Sequence, residues 1–227
     1  MDVVYFYITR RIVMLNKIID HTILKADASK DDVLKVVAEA KKYEFYSVMV
    51  NPCWVSMVHQ ELADTEIKTA TVIGFPLGAT TITAKKAEMQ TAINDGADEL
   101  DIVWNIGKFK SKDVEYIKKE LDILVNVAHE NDKLIKVIIE TALLTEDELK
   151  KASILVMNSG ADFIKTSTGF ATRGATIDDI KIIKEIVGDN IAIKASGGIH
   201  SAEFANELVR LGATRIGTSS SVKIVTQ

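Results

Sequence analysis

Lys165 and Lys194 sit in the segments FIKTS and IAIKAS, and Asp101 and Lys136 in ELDIVW and IKVIIE. Each segment is short, apolar and rich in β-branched residues, as buried strands are. A charge inside such a strand is costly unless it is paired or used. Singly, each of the four reads as well as a structural ion pair or a strand-end side chain reaching water. Four of them on neighbouring strands argue for a site. The two lysines lie on consecutive strands, and paired strands run about 4.8 Å apart. Like charge and desolvation both lower a lysine's pKa. A neutral amine adds to a carbonyl and forms an imine, and a carboxylate such as Asp101 can move the protons that dehydration and enamine formation require. The chemistry of this set is that of a Schiff-base aldolase.

Glycine and hydroxyl residues follow the later strands, in TSTGF (166–170), SGGI (196–199) and GTSSS (217–221). Alone these are ordinary turn material. After the last strands of a barrel they suit an anion, because Gly197 and Gly198 let the backbone approach a ligand and present its amides. A short helix then follows GTSSS, a placement common for phosphate sites in barrels.

The elements that must hold these residues alternate regularly. The apolar runs are 46–50, 69–75, 99–104, 135–140, 162–167, 191–196 and 215–219, with a shorter one at 19–22. Amphipathic stretches lie between them, such as the stripe Val33, Val36, Val37 and Ala40. Ser29 with Asp32, Thr145 with Glu148 and Thr176 with Asp179 predict capping boxes. Asn51 before Pro52 suits the cap of a helix's first turn. Gly96, Gly160 and Gly212 suit the left-handed position that closes a helix. The strand-to-strand spacing of roughly 20–35 residues is that of a βα unit. Neither a GxGxxG fingerprint nor a P-loop is present, which removes the best support for an open doubly wound sheet. The expectation is α/β: a single eight-stranded (β/α) TIM barrel with its site at the carboxyl ends of the strands.

The bulk properties agree. The chain has 227 residues, a net charge of -4, and 47% apolar against 26% charged residues, a soluble globular composition with room for one barrel. Nothing in it suggests the clustered lysine and arginine of a nucleic-acid binder. The lone Cys53 excludes a disulfide within the chain and fits a cytoplasmic location. His21, His59, His129 and His200 are scattered without metal-ligand spacing, so no metal is expected. His21, beside Asp20, reads as an oriented structural histidine, Trp54 and Trp104 as packing residues, and Cys53 as inert for want of a base partner. The apolar part of residues 1–13 is far too short to span a membrane, and it lacks the order of a secretory signal. Residues 1–13 are expected to be a dispensable extension before a catalytic domain at 14–227.

The segments IDHTILK (19–25), VNP (50–52), TVIGFPLGATT (71–81), GADELDIVWNIG (96–107), KVIIET (136–141), GADFIKTSTGF (160–170), IKASGGI (193–199) and GATRIGTSS (212–220) together resemble the deoxyribose-phosphate aldolase family. The resemblance runs from about Met14 to the end of the chain. It implies reversible cleavage of 2-deoxy-D-ribose 5-phosphate to D-glyceraldehyde 3-phosphate and acetaldehyde, without metal or organic cofactor. It implies Lys165 as the Schiff-base lysine, with Asp101 and Lys194 as the proton relay. It places Asp20, Thr22, Asn51, Lys136 and Thr168 in the site, and Gly169, Gly197, Gly198, Ser219 and Ser220 at the phosphate. Small phosphosugar and aldehyde partners are implied, no nucleic acid or membrane, and a homodimer or higher homo-oligomer. The sequence departs from the pattern at Met49, where many relatives carry cysteine, at Trp104, where they carry a smaller aliphatic residue, and at Phe170, where some carry lysine. Arg173 is the candidate to replace that missing cation.

Two rivals differ in kind. A transaldolase-like enzyme would share the lysine but use other donors. A silent phosphosugar-binding protein would need no imine-forming pair.

Overall fold

Ser29 with Asp32, Thr145 with Glu148 and Thr176 with Asp179 form reciprocal capping boxes in the computed structural model, which describes residues 14–227. The extension expected over residues 1–13 lies outside the described residues. The capped helices are α1 (Lys30–Tyr43), α6 (Glu146–Met157) and α7 (Ile177–Val187) of a series completed by α2 (Val55–Leu62), α3 (Ile82–Asn94), α4 (Ile106–Lys110), α5 (Val114–His129), α8 (Ala202–Arg210) and α9 (Ser221–Thr226). Gly96, Gly160 and Gly212 take φ of 100°, 79° and 119° after α3, α6 and α8, as expected of residues that close a helix. Asn51 precedes Pro52 as predicted, but the turn it opens is the 3-10 helix Pro52–Trp54, and its side chain makes no capping bond.

Eight parallel strands close into one barrel in sequence order: β1 (Ile19–Ile23), β2 (Ser47–Val50), β3 (Lys68–Ile73), β4 (Glu99–Val103), β5 (Leu134–Ile138), β6 (Phe163–Lys165), β7 (Ala192–Ser196) and β8 (Arg215–Thr218). This is the expected TIM barrel. Every strand but β1 is shorter than its apolar run. Residues such as Trp104 and Ser167 lie just beyond the strand ends and build the carboxyl-end face instead.

Register decides what faces inward. Asp101 pairs with Val72 on one side and Lys136 on the other, and Lys165 pairs with Ile138 and Lys194. In-register neighbours point to the same side of a sheet. One sector of the interior is therefore apolar, with Met49, Ala70 and Val72 packed beside Leu24 and Phe75. The rest of the interior carries charge. The main apolar core lies outside the barrel, between strands and helices, and takes in Trp104. That indole is fully buried, stacks on Phe109 at 4.5 Å and donates from Nε1 to the Ile139 carbonyl at 3.2 Å.

Candidate active site

Seven ionisable side chains meet inside the barrel: Asp20, Glu99, Asp101, Lys136, Lys165, Lys194 and Arg215, none more than 5% exposed. Their hydrogen bonds form one network. Asp101 Oδ2 accepts from Lys165 Nζ at 2.8 Å and from Lys194 Nζ at 2.7 Å, while Oδ1 accepts from Lys136 Nζ at 2.8 Å. Lys136 also donates to Glu99 at 2.6 Å. Arg215 donates to Asp20 and to Glu99, each at 2.9 Å, and Lys194 contacts Asp20 Oδ2. Gly217 makes room for this, since a Cβ there would lie 3.0 Å from Lys194 Cε.

The network holds four basic groups against three carboxylates. In a low-dielectric interior one unbalanced charge is expensive, and the cheapest remedy is loss of a proton. Lys136, Lys194 and Arg215 each contact two carboxylates, whereas Lys165 contacts only Asp101. Lys165 is the group that yields. Burial first, then the charges of Lys194 and Lys136, lower its pKa to about 8 against the pull of Asp101. Burial alone would raise the Asp101 carboxyl, yet Lys136, Lys165 and Lys194 hold it well below the ordinary range. Lys136 is held above its usual value, because Asp101 and Glu99 outweigh its burial. The site thus contains a nucleophilic amine accessible near neutral pH, an anion beside it and an ammonium sharing that anion.

Above Lys165 opens a cavity of about 770 Å³ at the carboxyl ends of the strands. Thr22, Lys165, Thr168, Gly169, Gly197, Gly198 and Ser219 all line it. Its glycine wall is built by close approach of two loops. A Cβ on Gly174 would lie 2.0 Å from the Gly197 carbonyl oxygen, and Gly197 itself takes φ of 79°. The amides of Gly169, Gly197 and Gly198 have no protein acceptor among the described residues and can serve an anion.

Four residues expected at the substrate do not reach the cavity wall. Asp20 and Lys136 are fully buried below it and hold Lys194 and Asp101 in place. Asn51 lies half-buried at the end of β2, outside the cavity lining. Ser220 is turned away: its hydroxyl bonds His200 Nδ1 at 2.9 Å and its amide donates to Thr218 Oγ1. Arg173 does not supply the cation missing at Phe170, because its guanidinium is bound to Asp179 and to Thr141. Phe170, 56% exposed, lines the cavity and meets Phe75 edge-on at 5.2 Å.

His21 is the oriented structural histidine expected. Its Nδ1 bonds Ser221 Oγ at 2.8 Å and its Nε2 bonds Glu39 at 2.9 Å, tying β1 to α9 and α1. Burial lowers its pKa, with Glu39 opposing. Cys53 is exposed and lies outside the cavity lining. Sequence reasoning missed Glu99, Arg215 and Glu140. Period-two alternation puts Glu99 on the same face as Asp101, and pairing of the last two strands puts Arg215 beside Lys194, so the first two could have been found. Among the described residues, no three His, Cys, Asp or Glu gather as metal ligands, and no helix is long and apolar enough to cross a membrane.

Residues 14–220 match the DeoC/LacD family aldolase. A deoxyribose-phosphate aldolase of Clostridium botulinum (strain 657 / Type Ba4) is 52% identical over 211 residues, covering 93% of this chain and 99% of that one. One from Lactococcus lactis subsp. lactis (strain IL1403) is 54% identical, covering 93% of this chain and 95% of its own. Among solved structures, a tetrameric deoxyribose phosphate aldolase from Aeropyrum pernix superposes with a TM-score of 0.87 at 33% identity, covering 93% of this chain and 89% of that one.

Proposed function

Since the chain belongs to the DeoC/LacD family of aldolases, we infer that it is a deoxyribose-phosphate aldolase. It is a class I lyase that reversibly cleaves 2-deoxy-D-ribose 5-phosphate to D-glyceraldehyde 3-phosphate and acetaldehyde, a step of deoxyribose phosphate catabolism. The observation that carries the reading is the convergence of Lys165 and Lys194 on one oxygen of Asp101 beneath the cavity.

The geometry supports the following roles. Neutral Lys165 Nζ adds to C1 of the open-chain sugar. The carbinolamine loses water, with the Asp101–Lys194 pair taking and returning the proton. The resulting iminium accepts the electron pair of the C2–C3 bond as that bond breaks, and the C3 hydroxyl gives up its proton to become the aldehyde of glyceraldehyde 3-phosphate. Protonation of the enamine at C2 and addition of water then release acetaldehyde and restore the amine. Lys136 and Asp20 position the relay. Gly169, Gly197 and Gly198, with Ser219, receive the phosphate through backbone amides and a hydroxyl.

We further propose that the enzyme works in the cytoplasm as a homo-oligomer, in line with the tetrameric relative, and that residues 1–13 are dispensable for its activity. The test is acetaldehyde with borohydride, in the presence of a chelator. An ethyl adduct on Lys165, together with acetaldehyde release from deoxyribose 5-phosphate, is expected. An adduct on Lys194 or Lys136 would overturn the assignment.

A further inference from the structure

Glu140 is a buried carboxylate that the imine chemistry does not use. It follows β5, is 2% exposed, and takes φ of 55°, which a glutamate rarely adopts. It takes no part in the seven-membered ionic network. Its Oε2 instead accepts from the Thr168 amide at 3.2 Å and from the Thr168 hydroxyl. The Phe170 amide in turn donates to Thr168 Oγ1 at 3.0 Å.

These bonds fix the polarity of one hydroxyl. A threonine oxygen has one proton and two lone pairs. Here Oε2 takes the proton and the Phe170 amide takes one lone pair. Thr168 lines the cavity with only an acceptor left to offer. A ligand group resting there must donate, so a hydroxyl fits and a carbonyl or phosphate oxygen does not. Thr168 lies three residues beyond Lys165 and next to Gly169, between the imine end and the phosphate end of the site. The substrate hydroxyl in that interval that survives cleavage is the one on C4, which becomes C2 of glyceraldehyde 3-phosphate. We propose that Glu140 is a positioning residue that makes Thr168 Oγ a pure hydrogen-bond acceptor for this hydroxyl, and so selects 2-hydroxylated acceptor aldehydes. The inference rests on the aldolase reading above.

The experiment compares condensation of acetaldehyde with D-glyceraldehyde 3-phosphate and with 3-oxopropyl phosphate, which lacks only that hydroxyl. The wild type should favour the hydroxylated aldehyde in kcat/KM by about tenfold, the worth of one hydrogen bond. Glu140→Met removes the acceptor and frees the Thr168 hydroxyl to rotate and donate as well as accept, so the ratio should fall. Glu140→Gln should keep the ratio, because the amide donor of Thr168 selects the carboxamide oxygen at the Oε2 position. Thr168→Val should abolish the preference as well, and it decides the matter if Glu140→Met does not fold. A merely structural role would lower both substrates alike. A wild-type ratio near one, a Thr168→Val enzyme that keeps the preference, or a Glu140→Met enzyme with an unchanged ratio overturns the proposal. Failure of the aldolase reading would show separately, as a wild type that condenses neither aldehyde and yields no acetaldehyde adduct on Lys165.

Discussion

Replacing Lys194 with methionine should move the pH dependence of imine formation upward. Lys165 and Lys194 bind the same Asp101 oxygen at 2.8 and 2.7 Å, so their nitrogens are at most about 5.5 Å apart. At that distance, with an effective dielectric constant near 20, two unit charges repel by on the order of 3 kcal/mol, about 2 pK units. Lys165 titrates at about 8 in the wild type. It is a base whose free form is the nucleophile, so its imine-forming rate rises with pH through that value. Removing a neighbouring cation stabilises the protonated form. It also leaves Asp101 a stronger partner for Lys165. Both effects act in one direction, and the midpoint should rise by about one to two units. Methionine fills nearly the same space beside Gly217, and Asp20 keeps Ser47 and Arg215 as partners. The rate itself will also fall, because the variant lacks the candidate acid, so rate alone is uninformative. The decisive assay is the pH dependence of borohydride trapping of acetaldehyde on Lys165. A slow variant whose midpoint stays near the wild-type value refutes the electrostatic argument and leaves Lys194 only a proton carrier.

Lys165→Met should stabilise the fold at pH 7. A lysine lowered from 10.5 to about 8 costs the folded state roughly 3 kcal/mol while protonated, and wild-type stability recovers as pH climbs between those values. The advantage of the variant in urea unfolding should therefore shrink by pH 10, and a constant difference would count against the charge imbalance. Lys85→Met should destabilise by about 3–5 kcal/mol, because it strands Glu120 among fully buried groups and frees the Val103 carbonyl. Thermal melts check this, and a change below about 1 kcal/mol would mean that the Lys85–Glu120 pair does not hold the fold together. Ser219→Asp should raise KM for deoxyribose 5-phosphate at least about tenfold, since like charges in a shared site repel, while activity on unphosphorylated deoxyribose changes little. Equal losses on both substrates would place the phosphate elsewhere.

Much of the fold was legible because it is local. The capping boxes at Ser29, Thr145 and Thr176 join residues three apart, and the strands declare themselves as short apolar runs between them. The lysine pair was legible for the same reason. Consecutive strands of a βα barrel pair, so Lys165 and Lys194 had to meet. What escaped depends on depth and direction. Lys136 and Asp101 look alike in sequence, each a charge in an apolar strand, and both end up fully buried outside the cavity lining, where Lys136 is held by Asp101 and Glu99. Arg173 looked free to meet a phosphate because nothing near it in sequence shows that Asp179, besides capping α7, binds its guanidinium. Glu140 was invisible for a further reason. It closes the run IKVIIE, two residues beyond the end of β5, where alternation ceases to hold, and its backbone turns left-handed at that point.

The same contrast says why the nucleophile is the residue it is. Lys136, Lys165 and Lys194 are chemically equal side chains on three adjacent strands. Inside the barrel they compete for three carboxylates together with Arg215. Arg215 cannot yield a proton, and it occupies Asp20 and Glu99 from β8. Lys136 shares Glu99 and Asp101, and Lys194 shares Asp101 and Asp20, so each is stabilised from two sides. Only Lys165 is left with one carboxylate, and only it opens onto the cavity. The permanent charge of Arg215, a residue that touches no substrate, is thereby part of what keeps Lys165 reactive. An interior with three cations for three carboxylates would leave no charge to expel, and its lysines would remain ammonium ions.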